Sequence, residues 1–413
     1  MPTEPNPSTL LLVGGARAIP LSIDMTVQAL SQAGSRGIRA HVTSEAASLA
    51  GTPDVVALAD AASAVDFSQP GTTAQWAADR VAEGDRFDLV FGIQEMAQTA
   101  VAETAEAIGA PGNPPEVIRR IRTKDACREA LAAAGFPQPA VRLCADQAEA
   151  AAFLRETAGP WIVKPRDAMG SVGVSQVSDP AQLPAALALL PSAEPFLVEE
   201  FVEGPEYSVE GVFQGGKPTI LAITAKEKVA PPFFVEVGHV LPAELDPAVQ
   251  TEIEQQVGDA LTTLGLRFGG FHVELWLTPA GVVLGEVHGR FGGDWIHRML
   301  AHAIPGLELF GVIYDDMLGR ADTSHELRPV RGAAARYLTP PPGRLTAVEG
   351  WDEVRAHPAV LYAALTVEVG DRINPVQKSG DRVGVVVVGA DTPAAARELA
   401  LELTSSVRFV VES

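Results

Sequence analysis

A multidomain protein of mixed α/β and α+β class is what the sequence predicts, on three observations. The chain has 413 residues, too many for one ordinary core and suited to two or three domains. Strand-like and helical patterns alternate through residues 10–108, which is the signature of a parallel, doubly wound sheet. Short strands dominate after about residue 160, several of them folded back about a turn. Hydrophobic residues make up 47% and charged residues 20%, a globular profile.

The elements follow in order. Residues 10–15 (LLLVGG) read as a buried strand, and Ile23, Val27 and Leu30 follow at helical spacing. Strand-like runs recur at 39–43 and 87–93, with a helical pattern at 94–108. Gly14-Gly15 does not extend to G-x-G-x-x-G, which argues against a dinucleotide site. Pro111-Gly112-Asn113-Pro114-Pro115 breaks the chain and serves as a linker, and helices are expected over 116–134. A strand at 160–166 runs into a glycine-bearing loop, 167–174, and a second strand. A third strand is expected at 196–204, a hairpin at 207–226 about Gly215-Gly216, and a helix at 246–264. Another helix is expected at 306–319, and after Pro340-Pro341-Pro342 the chain turns strand-rich again, with a last helix at 392–404.

Composition excludes several classes. A formal net charge of −21 argues against a nucleic-acid footprint or an anionic membrane surface. Two cysteines, Cys127 and Cys144, form neither a zinc spacing nor a disulfide framework, which suits reducing cytoplasm. The stretch MPTEPNPST has no basic region, the run Leu10 to Val13 is too short for a signal peptide, and no run approaches a membrane span. Walker, HExxH and GxSxG patterns are absent.

The chemistry concentrates in residues 273–293, VELWLTPAGVVLGEVHGRFGG. Folding this hairpin about Ala280 sets Glu274 opposite Glu286, on the face that also carries His288 and Arg290. Two facing carboxylates repel, and one takes up a proton unless a cation lies between them. A metal ion with an arginine beside it removes the conflict, whereas a solvated strand face is the plain alternative. Upstream, Lys164 ends a strand ahead of Gly170-Ser171-Val172-Gly173, a fixed charge next to a loop whose amides can approach phosphate oxygens. Lys124 stands at a helix start, and residues 198–206 (VEEFVEGPE) alternate acidic and apolar side chains in a way that could frame a purine.

Taken together and in this order, these stretches resemble the ATP-grasp superfamily of carboxylate–amine ligases, over nearly the whole chain. Residues 233–245 (FFVEVGHVLPAEL) look most like the L-amino acid ligase branch. The resemblance implies an N-terminal Rossmann-like domain over 1–113, an ATP-grasp domain over 114–325 with a lid at about 135–203, and a biotin-carboxylase-like β-rich domain over 326–413. It implies an enzyme that forms a peptide-type amide from a carboxylate, such as an amino acid, and an amine through an acyl phosphate, releasing ADP and phosphate. Other members load an amino acid onto a carrier-protein thiol or use bicarbonate, and a non-catalytic nucleotide-binding module is the alternative of another class. Small-molecule substrates are implied, and the resembling branch suggests a homodimer.

By the same resemblance, Lys124 and Lys164 contact the phosphates of ATP, with the loop Gly170, Ser171 and Gly173 over them. Glu199 and the backbone at Phe201 and Val202 hold adenine, and Glu206 takes the ribose hydroxyls. Glu274 and Glu286 bind Mg²⁺, Arg290 stabilises charge at the reacting carboxylate, and Glu236 and His239 face the substrates, either being a candidate general base. The superfamily's metal strand usually reads Glu-x-Asn-x-Arg, but here His288 replaces the asparagine. Imidazole suits softer metals than magnesium, so His288 either orients an acidic group or ligates the metal and shifts preference toward Mn²⁺. Trp295 is open between a pocket wall and the core.

Overall fold

A computed structural model describes residues 7–320 and 327–412. The boundary expected at 325/326 lies outside the described residues. Four strands open the chain: β1 (Thr9–Val13), β2 (Arg39–Ser44), β3 (Ala61–Ala64) and β4 (Leu89–Phe91). They form a parallel sheet in the order β3-β2-β1-β4. Parallel strands buried on both faces read as continuous apolar runs, and Leu10, Leu11, Leu12 and Val13 are all fully buried. The helix Pro20–Gly34 begins with proline in its first turn, where the missing N–H costs nothing.

A separate four-stranded antiparallel sheet comes next: β5 (Val141–Cys144), β6 (Trp161–Pro165), β7 (Ser175–Val177) and β8 (Phe196–Glu200), in the order β5-β8-β6-β7. Trp161, Phe153, Phe196 and Val198 give it a core of its own. The third strand of this region was expected to reach 204, but β8 stops at Glu200 and the chain turns at Phe201–Gly204. Gly204 packs against the backbone of Leu277, so any side chain there would clash.

The third sheet positions the site. Its first five strands are β9 (Glu206–Gln214), β10 (Lys217–Lys228), β11 (Glu236–Leu241), β12 (Gly270–Thr278) and β13 (Gly281–His288). The strands beyond residue 326 are β14 (Gly332–Leu338), which precedes Pro340-Pro341-Pro342, and β15 (Gly343–Glu349), β16 (Val360–Leu365), β17 (Arg372–Ile373), β18 (Gly384–Ala390) and β19 (Arg408–Glu412), which follow it. Eight of these join in one antiparallel sheet, β13-β12-β9-β10-β11-β14-β18-β16, while β17-β15-β19 stand apart. Three C-terminal strands, β14, β18 and β16, thus continue the central sheet, while β15, β17 and β19 form a small sheet of their own.

One face of β9, β12 and β13 is covered by the helix Pro247–Leu264 and the helices Pro115–Arg122 and Lys124–Ala133, around Phe213, Phe271 and Leu261. Each such buried aromatic side chain contributes roughly 2–3 kcal/mol through loss of apolar surface from water. Phe310 and Tyr314 join the central sheet to the N-terminal one, packing in a single core with Leu10, Leu12 and Leu241.

Candidate active site

The cleft between the small sheet of β5–β8 and the central sheet collects most of the residues singled out above. It holds a groove of about 190 Å³ that Lys124, Lys164, Glu206, Glu274, Glu286 and Arg290 all line. A second cavity of about 330 Å³ adjoins it and shares Glu236, Glu274 and Arg290. We call these the groove and the chamber.

The hairpin β12–β13 turns at Pro279-Ala280, with Thr278 opposite Gly281. A bulge between Val273 and Leu275 shifts the register, and His272 faces His288 directly. Each acidic residue of the pair already has a cationic neighbour. Glu274 Oε1 lies 3.1 Å from Lys226 Nζ and 3.3 Å from His272 Nε2. Burial alone would raise its pKa, but the attraction of Lys226 and the His272 hydrogen bond hold it well below the usual carboxylate value. Glu286 Oε1 lies 3.5 Å from Lys124 Nζ, and Oε2 lies 3.5 Å from His288 Nε2. Burial and the neighbouring Glu274 oppose its ionisation, yet Lys124, His288 and Lys164 push its pKa down. The cations that the facing pair calls for are supplied in part by the protein itself, Lys226 and His272 at Glu274 and Lys124 and His288 at Glu286.

Lys226 was not singled out in the sequence. It is nearly sealed from solvent, and its Nζ contacts Glu206 at 2.5 Å, Glu274 at 3.1 Å and Glu236 at 3.3 Å. Burial opposes its charge, but the three carboxylates outweigh that and raise its pKa well above the ordinary lysine value. The alternation Lys226-Glu227-Lys228 on β10 is a signal that could have found it, because both lysines share the face of Glu206 and both pair with it.

Glu199 does not offer its carboxylate to a base. Both oxygens are taken by a fork from Arg128, Nε at 2.6 Å and Nη2 at 3.1 Å, and Lys164 Nζ sits at 2.9 Å. Its strand position turns it inward, where it aims Lys164; burial lowers the Lys164 pKa and Glu199 opposes that. Phe201 donates its amide to Pro160 O at 2.9 Å, so that group is engaged as well, while Val202 lines the groove. The rings of Phe201 and Phe234, 5.7 Å apart, give the groove an apolar wall.

The loop 167–174 covers this groove. Gly170, Ser171 and Gly173 all have positive φ, at +70°, +57° and +69°. Glycine adopts this conformation freely, whereas Ser171 is held there while its Oγ donates to Phe234 O at 3.3 Å. Lys124 Nζ donates to Ala168 O at 2.8 Å.

Arg290 lies just beyond β13 and points into both cavities. Its Nε donates to Glu95 at 2.6 Å, and Nη1 to Phe291 O at 2.7 Å. Glu95, which the sequence reading missed, also meets His288 Nδ1 at 3.1 Å and Arg122 Nε at 3.2 Å. Burial opposes its charge, but His288 and Arg290 hold its pKa well below normal. Both nitrogens of His288 therefore face carboxylates, Glu95 and Glu286.

Behind Glu274, His272 Nδ1 meets Glu210 at 2.9 Å, and Ser208 Oγ donates to the same carboxylate at 2.8 Å. Burial lowers the His272 pKa, but Glu210 outweighs this and raises it to about 9. Gly292 packs so close that a Cβ would stand 2.8 Å from His272 Nδ1. Glu236 and His239, expected at the substrate side, line the chamber together with Asp294. Trp295 stacks on Tyr362 at 3.5 Å and belongs to the core.

Among the described residues, no cluster of three or more His, Cys, Asp or Glu is arranged to hold a metal on its own. Magnesium bound with nucleotide phosphates needs only one or two carboxylates, and the oxygens of Glu274 and Glu286 in the groove fit that requirement. No helix among the described residues is long and apolar enough to cross a membrane.

Comparison with known proteins agrees with this geometry. Residues 157–298 match the family described as ATP-grasp domain, and residues 336–412 match L-amino acid ligase C-terminal domain 2. Carnosine synthase 1 of Homo sapiens is 27% identical over 275 residues, 60% of this chain but only 32% of that protein, so the chain spans about a third of its length. The fold is that of L-amino acid ligase from Bacillus licheniformis, with a TM-score of 0.82 and 21% identity over 100% of both chains. It is also that of the biotin carboxylase domain of Hydrogenobacter thermophilus 2-oxoglutarate carboxylase, with a TM-score of 0.69 and 15% identity over 97% of this chain and 90% of that one. The chain carries an ATP-grasp domain and an L-amino acid ligase C-terminal domain, and these together support an ATP-dependent carboxylate–amine ligase.

Proposed function

We infer that this enzyme joins the carboxylate of an amino acid to the amine of a second small molecule through an acyl phosphate. The observation that carries the reading is the convergence of Lys124, Lys164, Glu274, Glu286 and Arg290 on one groove that opens into the chamber. A carboxylate oxygen attacks the γ-phosphorus of ATP and ADP leaves. The amine nitrogen then attacks the acyl carbon, phosphate leaves, and one proton goes to a base. Both steps build negative charge on oxygen, so fixed positive charge and positioning supply the rate.

Each residue has a role in this scheme. Lys124 and Lys164 hold the phosphates, and the loop 167–174, with Gly170, Ser171 and Gly173, shields them from water. Adenine lies along Phe201, Phe234 and the backbone at Val202, with the ribose toward Glu206. Glu274 and Glu286 hold magnesium, which when bound supplies charge that offsets the phosphate oxygens. His288, turned to Glu95 and Glu286, orients these groups in preference to ligating a metal. Arg290 stands where the carboxylate reacts. Of the two candidate bases, Glu236 pairs with Lys226 at 3.3 Å, whereas the buried His239 Nδ1 has no hydrogen-bond partner among the described residues. That favours His239.

The test is phosphate release from ATP and Mg²⁺ over a pairwise panel of amino acids, followed by product mass. Release that needs both a carboxylate and an amine, with an amide product, supports the reading. Equal ATP consumption without any acceptor, or release driven by bicarbonate or a carrier-protein thiol instead, contradicts it.

A further inference from the structure

The segment between β17 and β18 folds back beneath the loop that covers the groove. Ser379 donates its backbone N–H to Gly170 O at 3.0 Å. Three residues on, Arg382 is almost wholly buried and its guanidinium lies 3.5 Å from the Tyr337 ring centroid. Its Nε donates to Ser379 O at 2.9 Å, and Nη1 to Glu236 O at 3.1 Å. Its fork closes on Asp294, Nη1 to Oδ2 at 2.9 Å and Nη2 to Oδ1 at 2.8 Å.

Asp294 is itself unusual. It has φ +51° and the following Trp295 has φ +64°, left-handed conformations that non-glycine residues keep only when their surroundings fix them. Asp294 Oδ2 also meets His239 Nε2 at 2.9 Å. In neutral imidazole this places the proton on Nε2 and leaves Nδ1, which is buried without a partner among the described residues, as the free lone pair.

We propose that Arg382 is a positioning residue of the ligase site: it fixes Asp294, and through it His239, at the chamber wall, while its turn ties down the loop over the groove. The region after residue 374 is then a working part of the active site. This rests on the ligase reading of the chamber. The arrangement requires arginine, since a planar fork can bind a carboxylate bidentately and stack on a ring, and a lysine ammonium can do neither.

The experiment uses the full chain. Ser379 opens the short helical turn Ser379–Asp381, and Lys378 before it is already extended at φ −146°, ψ 162°. Proline suits that position, so Ser379→Pro removes the donor to Gly170 with little other disturbance. With ADP and Mg²⁺ present, amide exchange over 168–174 should speed up by about 2- to 10-fold, the worth of one hydrogen bond. Unchanged exchange overturns the tie. Arg382→Gln should lower kcat for amide formation about 100-fold with KM for ATP kept. Arg382→Lys should recover only part of that; full recovery would mean that charge alone suffices and would overturn the positioning role. Asp294→Asn should match Arg382→Gln, and the double variant should lose no more, whereas losses that multiply contradict the proposal. The exchange arm needs no turnover. A chain that keeps the tie but makes no amide from any pair sinks the ligase reading and leaves the tie standing.

Discussion

The groove and the chamber share a wall but are assembled differently. Several charged groups of the groove come from two short continuous stretches, Lys164 with the loop 167–174 and the hairpin β12–β13, joined by Lys124 and Glu206 from elsewhere in the chain. The chamber is closed by pairs from distant parts of the chain, with Arg290 and Glu95 separated by 195 residues and Arg382 and Asp294 by 88. On the proposed function, a constant ligand portion, a triphosphate, is met by a local motif. On the same reading, the wall around a variable second substrate is set by long-range pairing, and it can change without disturbing that motif.

Lys226 stands at the partition, and removing it gives the largest expected effect. Lys226→Met leaves Glu206, Glu236 and Glu274 without their buried counter-charge and should cost about 3–5 kcal/mol of stability, read as a lower midpoint in urea unfolding. An unchanged midpoint would mean that solvent or other lysines neutralise these carboxylates. Arg290→Ala should come next. Amide formation should fall by about 10²- to 10³-fold while ADP still binds, and near-normal turnover would remove Arg290 from the chemistry.

Metal dependence should separate the two regions. Glu286→Gln should raise the Mg²⁺ needed for half-maximal nucleotide binding about tenfold, seen by calorimetry, whereas Asp294→Asn should leave that titration in place. A comparable shift in both variants would erase the distinction between groove and chamber.

The smallest effect concerns the attachment of the first helix. Asp24 accepts from His297 Nε2 at 2.6 Å and pairs with Arg298. Burial would raise its pKa, but these partners lower it from 3.8 to about 2. A depressed carboxylate stabilises the fold above its unfolded pKa and loses that contribution as pH falls through the folded one. The stability difference between wild type and Asp24→Asn should therefore be about 2 kcal/mol near pH 5 and largely gone near pH 2. A difference that stays constant across that range would show that the pair is not what titrates.

The sequence made the groove largely legible because its residues sit at fixed spacings on single strands or in one loop. Glu274 and Glu286 could be placed face to face from strand alternation alone, and Lys164 could be placed at a strand end. The bulge between Val273 and Leu275 could not be read, since it depends on how β12 meets two neighbours at once. Glu199 misled for the same reason: alternation gave it a face, but only the approach of Arg128 and Lys164 shows that the face is internal. Asp294, Arg382 and Glu95 carry no local signal, because a lone charged residue in a turn looks like any solvated one. Trp295, which could have been a pocket wall, is in the core, and its neighbour Asp294 takes the wall instead.

The most direct test follows oxygen. With an amino acid labelled by ¹⁸O in its carboxylate, ATP, Mg²⁺ and an acceptor amine, attack by the carboxylate on the γ-phosphorus must carry one labelled oxygen into the phosphate released when the amide forms. The account predicts one ¹⁸O in phosphate for each amide made. Unlabelled phosphate accompanying labelled amide would contradict it.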